Sequence, residues 1–150
     1  ITEIGAVRVV NGRITETFSQ LVNPGRKILP RIAGITHITD EMVADQPGPE
    51  EAIRLFADFA GDNILVGHNI RQSDLHYIDC AARRAGIRLE NPFFDTYRFA
   101  RRLKEDQGWE NVKLEYLSQH FGIDQPDAHR AWCDAQANAL LYVRLKELAR

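Results

Sequence analysis

The chain is poor in cysteine, has little net charge and contains no long apolar run, and each shortage excludes a class of protein. Its two cysteines, Cys80 and Cys133, cannot build a disulfide framework or a metal knuckle, so a reducing compartment, the cytoplasm, is expected. No apolar run approaches the roughly 20 residues of a membrane span and no signal-peptide pattern occurs, so no membrane role is expected. With 19 basic against 21 acidic residues the net charge is −2, which gives no bulk attraction to nucleic acid. Any polyanion must be held by a local basic patch or by metal ions. The only methionine is Met42, and Ile1 enters directly into a strand pattern, so this segment is expected to lie inside a longer polypeptide.

What is present describes one globular domain. At 150 residues, 44% hydrophobic and 27% charged, the chain can bury a real core. Residues 1–10, ITEIGAVRVV, are rich in β-branched side chains and lead into Asn11-Gly12, a strong type I′ hairpin signal. The return strand sets Ile14, Phe18 and Val22 on one face and ends at Pro24. A loop with a short helical turn, IAGITHITDEMV, precedes a helix over 50–60 whose apolar face is Ala52, Leu55, Phe56 and Phe59. Ile64-Leu65-Val66 reads as an inner strand buried on both faces. Helices follow around Leu75–Ala85, Tyr97–Leu103, Leu114–Phe121 and from about Ala131 to the end, with Phe93-Phe94 as another short strand. This order predicts a mixed α/β sheet with flanking helices, without repeats or linkers.

Two fragments hold the candidate chemistry. On the last helix, Asp134, Asn138, Leu141, Leu145 and Leu148 share one stripe, which puts a carboxylate at the end of a buried face. An unpartnered carboxylate there is costly unless a cation or hydrogen bonds meet it. His129, five residues earlier, falls ~140° off that stripe, and so belongs to the preceding loop. The plain alternative is helix-dipole chemistry for Asp134 and simple exposure for His129. In VGHNIRQSD, a buried strand stops at Gly67 and Asp74 opens a helix, at the kind of strand end where α/β sheets bind ligands. The plain alternative is an N-cap pair, Ser73-Asp74, after loop residues His68-Asn69.

Taken together, two aspartates at the ends of buried elements and one loop histidine suit divalent metal ions. All-oxygen ligands favour Mg²⁺ or Mn²⁺ over zinc. Such sites serve phosphoryl chemistry, with a histidine available to take a proton from water.

The succession ITEIGAV, NG, LVNP, THITDEMV, VGHNIRQSD, DTYRFAR, LEYLSQHFGI and AHRAWCDAQANALL resembles the DEDDh 3′→5′ exonucleases, to which the proofreading epsilon subunit of bacterial DNA polymerase III belongs. The likeness covers essentially the whole chain. It implies a ribonuclease-H-like fold, two divalent metal ions, and a nucleic-acid substrate with a single-stranded 3′ end. A polymerase or other nucleic-acid-processing partner, fused or associated, is implied as well. Asp74 resembles the family's second-motif aspartate, Asp134 its last metal-binding aspartate and His129 its general base. Thr36, His37 and Ile38 fall in the loop near the 3′-terminal nucleotide, and His68-Asn69 matches the family's H-N pair, also assigned to substrate. Asp95 is read as structural.

One element is missing. The family's first strand carries a D-x-E motif that supplies two metal-binding acids, and it does not occur in this chain. Glu3 falls instead on the family's second strand, as a framework residue. The chain is therefore read as a single exonuclease domain, 1–150, without its N-terminal strand. The reading from sequence is a metal-dependent 3′→5′ exonuclease acting on DNA or RNA. Arg71, Arg98, Arg101, Arg102 and Lys104 would then track a single strand, unless the last four form a solvated helix face. The alternatives are a catalytically incomplete module that binds nucleic acid or a polymerase or helicase partner, and a ribonuclease-H-like endonuclease.

Overall fold

The computed structural model describes residues 1–150. Strands β1 (Glu3–Val10) and β2 (Arg13–Leu21) form an antiparallel hairpin with Ala6 opposite Phe18. Asn11 and Gly12 turn it with φ of 52° and 76°, the paired positive values that a type I′ turn requires. Phe18 reaches down from β2 to stack on Phe59 at 5.3 Å and meet Phe56 edge-on at 6.1 Å.

Two short helices follow, α1 (Pro30–Thr36) and α2 (Asp40–Val43), the second capped by the Thr39 hydroxyl accepting from Met42 N–H. Helix α3 (Pro49–Ala60) opens with proline and two glutamates, which suit the free N–H groups and positive dipole end of a first turn. Its buried residues are Ala52, Ile53, Phe56 and Ala60. Leu55, expected on that face, is 40% exposed. At 100° per residue the buried arc runs from Ala52 through Phe56 to Ile53, and Leu55 lies about 60° outside it.

Strand β3 (Leu65–Gly67) pairs in parallel with β4 (Phe93–Asp95), and helix α4 (Asp74–Ala85) makes the crossover. Gly86 ends α4 in the left-handed conformation, φ 70°. Helices α5 (Thr96–Gln107), α6 (Leu114–His120) and α7 (Ala131–Leu148) complete the chain. Two apolar clusters hold these layers. One joins β1 to α3 and α4 through Ile4, Ile53, Phe56 and Ala82. The other joins α5, α6 and α7 through Ala100, Leu117, Leu141 and Leu145, with Trp109. No helix is long and apolar enough to cross a membrane.

The expected mixed α/β, ribonuclease-H-like arrangement is present, with one difference that matters for function. The antiparallel pair β1-β2 and the parallel pair β3-β4 are not hydrogen-bonded to each other. Between them lies a cavity of about 1570 Å³, lined by the whole of β1, by β3, by Phe56 and Phe59 of α3, and by Asn138 and Tyr142 of α7. Successive strand residues point to opposite faces. Ile4 joins the α3 cluster while Gly5 lies under the start of α7, so the two helices cover the cavity from opposite sides. This also corrects the expectation for Ile64-Leu65-Val66. Ile64 is 62% exposed, and Leu65 and Val66 are half-buried. Strand β3 has a partner on one edge only, and its other edge opens on the cavity.

Candidate active site

The acidic half of the site comes from two helix starts. Asp134 stands in the first turn of α7, half-buried. Its Oδ1 accepts from the backbone N–H of His129 at 3.2 Å and from the Gln125 side-chain amide at 3.3 Å. Those bonds favour the carboxylate, as does the nearby His129 side chain. Burial acts the other way and is the larger effect, so the Asp134 pKa lies above the ordinary aspartate value, with Glu3 adding to the rise.

Asp74 is the first residue of α4 and is open to solvent through the cavity it lines. Its pKa is raised as well, first by the crowding of low-dielectric protein around it, then by the negative charges of Asp134 and Asp95. The Ser73 hydroxyl opposes the rise. Asp74 thus feels the charge of Asp134, and the two line one cavity. Ser73 does not cap α4 with its side chain, contrary to the plain N-cap alternative, and donates instead to the Asn69 carbonyl at 3.0 Å.

His129 lines the same cavity on an exposed turn just before α7. Its φ of 72° is left-handed, a conformation that costs an L-residue of order 1 kcal/mol and persists only when its surroundings enforce it. The enforcing bond is visible, because the amide of His129 is the one held by Asp134.

Of the other residues singled out in the sequence, Thr36 and Ile38 line this cavity. His37 ends α1 with φ 60° and is exposed beside them, while Ile38 is buried at 1%. His68 and Asn69 do not line it. The His68 ring turns inward, with Nε2 2.7 Å from the Val112 carbonyl and Nδ1 2.9 Å from Thr96 Oγ1. Burial lowers its pKa, against the Val112 hydrogen bond and the Asp95 charge, so the neutral ring is favoured. Asn69, at φ 57°, donates its N–H to Asp95 Oδ1 at 2.8 Å. The same oxygen accepts from Tyr97 N–H at 3.0 Å, which makes Asp95 the N-cap of α5.

Thr96 is the hub of this buried network. Its single hydroxyl proton faces three partners: His68, the Gly67 carbonyl at 3.1 Å and the Asn138 side chain at 2.7 Å. The sequence placed Asn138 on the stripe of the last helix without assigning it this role. A polar Asn138 within a leucine stripe was the available signal. Gln125 and Glu3, which act on the start of α7, gave no comparable signal. Arg71, Arg98, Arg101 and Arg102 are exposed and Lys104 half-buried; none lines the cavity.

Two raised carboxyl groups facing a cavity, with few donors to neutralise them, match the donor chemistry of a hard divalent cation. The set is incomplete, since no three His, Cys, Asp or Glu side chains converge as a metal cluster.

The layout of α/β layers with these acids at helix starts defines a ribonuclease-H-like nuclease fold. Residues 1–142 match the RNase T exonuclease family, and the chain belongs to that family, in its DEDDh 3′→5′ class. It is 37% identical over 148 residues to the DNA polymerase III subunit epsilon of Aquifex aeolicus, spanning 98% of this chain and 72% of that one. It is also 37% identical over 147 residues to a PolC-type DNA polymerase III of Caldanaerobacter subterraneus, of which it spans only 10%. Among solved structures, exonuclease X in complex with 5′-overhanging duplex DNA superposes with a TM-score of 0.74 at 27% identity, covering 99% of this chain and 84% of that one. E. coli exonuclease I in complex with a dA16 oligonucleotide superposes at 0.82 with 17% identity, covering 97% and 36%, a likeness of fold.

Proposed function

We propose that this chain is the nuclease domain of a metal-dependent 3′→5′ exonuclease that trims single-stranded 3′ ends of DNA, with RNA as a second possible substrate. The observation that carries the reading is that Asp74, Asp134 and His129 line one cavity, where the charge of Asp134 adds to the cost of ionising Asp74. Asp74 and Asp134 would hold the divalent ions, Mg²⁺ or Mn²⁺. Bound there, two such ions would lower the pKa of a water and offset charge on the leaving oxygen.

The remaining work falls to the chain's own residues. His129, exposed at the cavity mouth, takes the proton of the attacking water at its ring nitrogen. Asp134 fixes that turn through the His129 amide. Thr36, His37 and Ile38 would contact the terminal nucleotide. His68 and Asn69, bonded inward, would support this from behind by holding the end of β3.

The domain reading rests on the cavity. Two strand edges without partners face it, and unpaired backbone N–H and C=O groups favour an added strand. A further extended segment between β1 and β3, bearing acidic side chains at the Asp74–Asp134 end, would complete both the sheet and the ligand set. Association with a polymerase and cytoplasmic residence belong to the same proposal, by analogy with the epsilon subunit relative. The test is metal-dependent release of mononucleotides from a 3′ end by the natural polypeptide that carries this domain.

The incomplete ligand set favours one second reading, a catalytically silent module that binds nucleic acid or a partner. Binding of the oligonucleotide without release of nucleotides would support that reading instead.

A further inference from the structure

The start of α7 rests on β1 at two points that share one face of the strand, Glu3 and Gly5. The Glu3 side chain is only 3% exposed, yet four donors meet it. Arg130 presents Nε to Oε2 at 3.0 Å and Nη2 to Oε1 at 3.1 Å, the two-pronged pairing in which guanidinium geometry is most specific. The backbone N–H of Ala131 donates to Oε2 at 2.9 Å, and Ser19 Oγ donates to Oε1 at 3.3 Å. Ala131 is the first residue of α7, so this carboxylate meets one of the N–H groups that a helix start leaves without an internal partner.

Two positions further on, the helix backbone lies directly against Gly5. A Cβ there would fall 2.2 Å from both the Ala131 carbonyl carbon and the Trp132 nitrogen. Both are backbone atoms, so no side-chain rotation would relieve the clash.

The pair is buried on the Glu3 side and partly open on the Arg130 side; desolvation of such a carboxylate offsets much of the attraction, but the pairing fixes geometry well. What it fixes here is the residue next to His129 and the first turn that carries Asp134. We propose that Glu3 is a positioning residue for the reaction, with Gly5 as its steric counterpart. Together they seat the first turn of α7 so that His129 and Asp134 face the cavity at a fixed depth. The inference rests on the reading of His129 as the general base.

The test uses the full natural polypeptide and two readouts. Amide hydrogen exchange over residues 129–134 reports the seat itself, with or without catalysis. In Glu3→Ala, exchange there should be at least about tenfold faster, with Glu3→Gln, which keeps one acceptor, in between. Gly5→Ala should give the same local signature. On a single-stranded oligonucleotide with Mg²⁺, Glu3→Ala should lower kcat roughly tenfold or more at unchanged KM, as expected for a misplaced catalytic group. In a His129→Ala background the same change should cost clearly less than in the wild type, since only the seating of Asp134 is left to lose.

Equal losses in both backgrounds, or exchange that does not change, would overturn the proposal. If His129→Ala leaves kcat intact, the assignment of the base fails. The exchange readout then decides alone: faster exchange upholds the seat and unchanged exchange rejects it. Should Glu3→Ala not fold, Glu3→Gln is read by the same criteria.

Discussion

The backbone N–H of His129 donates to Oδ1 of Asp134 at 3.2 Å, which ties the proposed base and a proposed metal ligand into one turn. The turn holds His129 at φ 72° against its conformational preference. Replacement by glycine removes that strain, whereas alanine keeps it. His129→Gly should therefore be as stable as His129→Ala or more so, by up to about 1 kcal/mol, with both variants equally slow in nucleotide release. Urea unfolding of the two variants checks this, and a clearly less stable glycine variant would show that the strain argument is misplaced.

The acids make a prediction with a definite sign. Asp74 and Asp134 both have folded-state pKa values raised above the ordinary aspartate value, so their ionisation opposes folding at neutral pH. The Asp74→Asn/Asp134→Asn double variant should thus melt above the metal-free wild type at pH 7. The gap should close as pH falls through the raised pKa values and the wild-type carboxyls protonate. A gap that widens on acidification would reverse the assignment.

Metal should offset the same cost. Millimolar Mg²⁺ or Mn²⁺ should raise the wild-type melting temperature by mass action on the folded state, and should leave the double variant where it was. Isothermal titration of the full natural polypeptide should show the matching loss of affinity in Asp134→Asn alone. Equal shifts in wild type and double variant would mean that the ions bind elsewhere.

The Thr96 network gives a stability prediction independent of catalysis. Thr96→Val keeps the shape but removes the hydroxyl shared by His68, Gly67 and Asn138. Buried polar atoms left without a partner cost about 1–3 kcal/mol each, so denaturant unfolding should show a loss of at least that size. A loss under about 0.5 kcal/mol would mean that the three partners find other bonds.

Much of this molecule was legible in its sequence because local chemistry decides local shape. Asn11-Gly12 made the hairpin, Gly86 ended α4, and of the stripe from Asp134 to Leu148 the residues Asn138, Leu141 and Leu145 are buried on α7, while Leu148 at its end is 40% exposed. What escaped depends on partners distant in sequence. Leu55 matched a helical apolar face by spacing, but the arc that is buried was chosen by where Phe18 and α4 lie. Ile64 reads as a core residue, yet it is 62% exposed just before a strand that has a partner on one edge only. His68 shows the same limit: its neighbours in sequence say loop, and its ring is bound to Val112, 44 positions away.

The most direct test of the account follows the 3′ end itself. The full natural polypeptide, as wild type and as His129→Ala, is incubated with a 5′-labelled single-stranded DNA and Mg²⁺, and products are resolved at single-nucleotide spacing. The account predicts a ladder shortened one nucleotide at a time from the 3′ end. EDTA should abolish it, and loss of the base should slow it at least about a hundredfold with metal affinity kept. Equal rates for wild type and His129→Ala, or cuts within the strand, would contradict it.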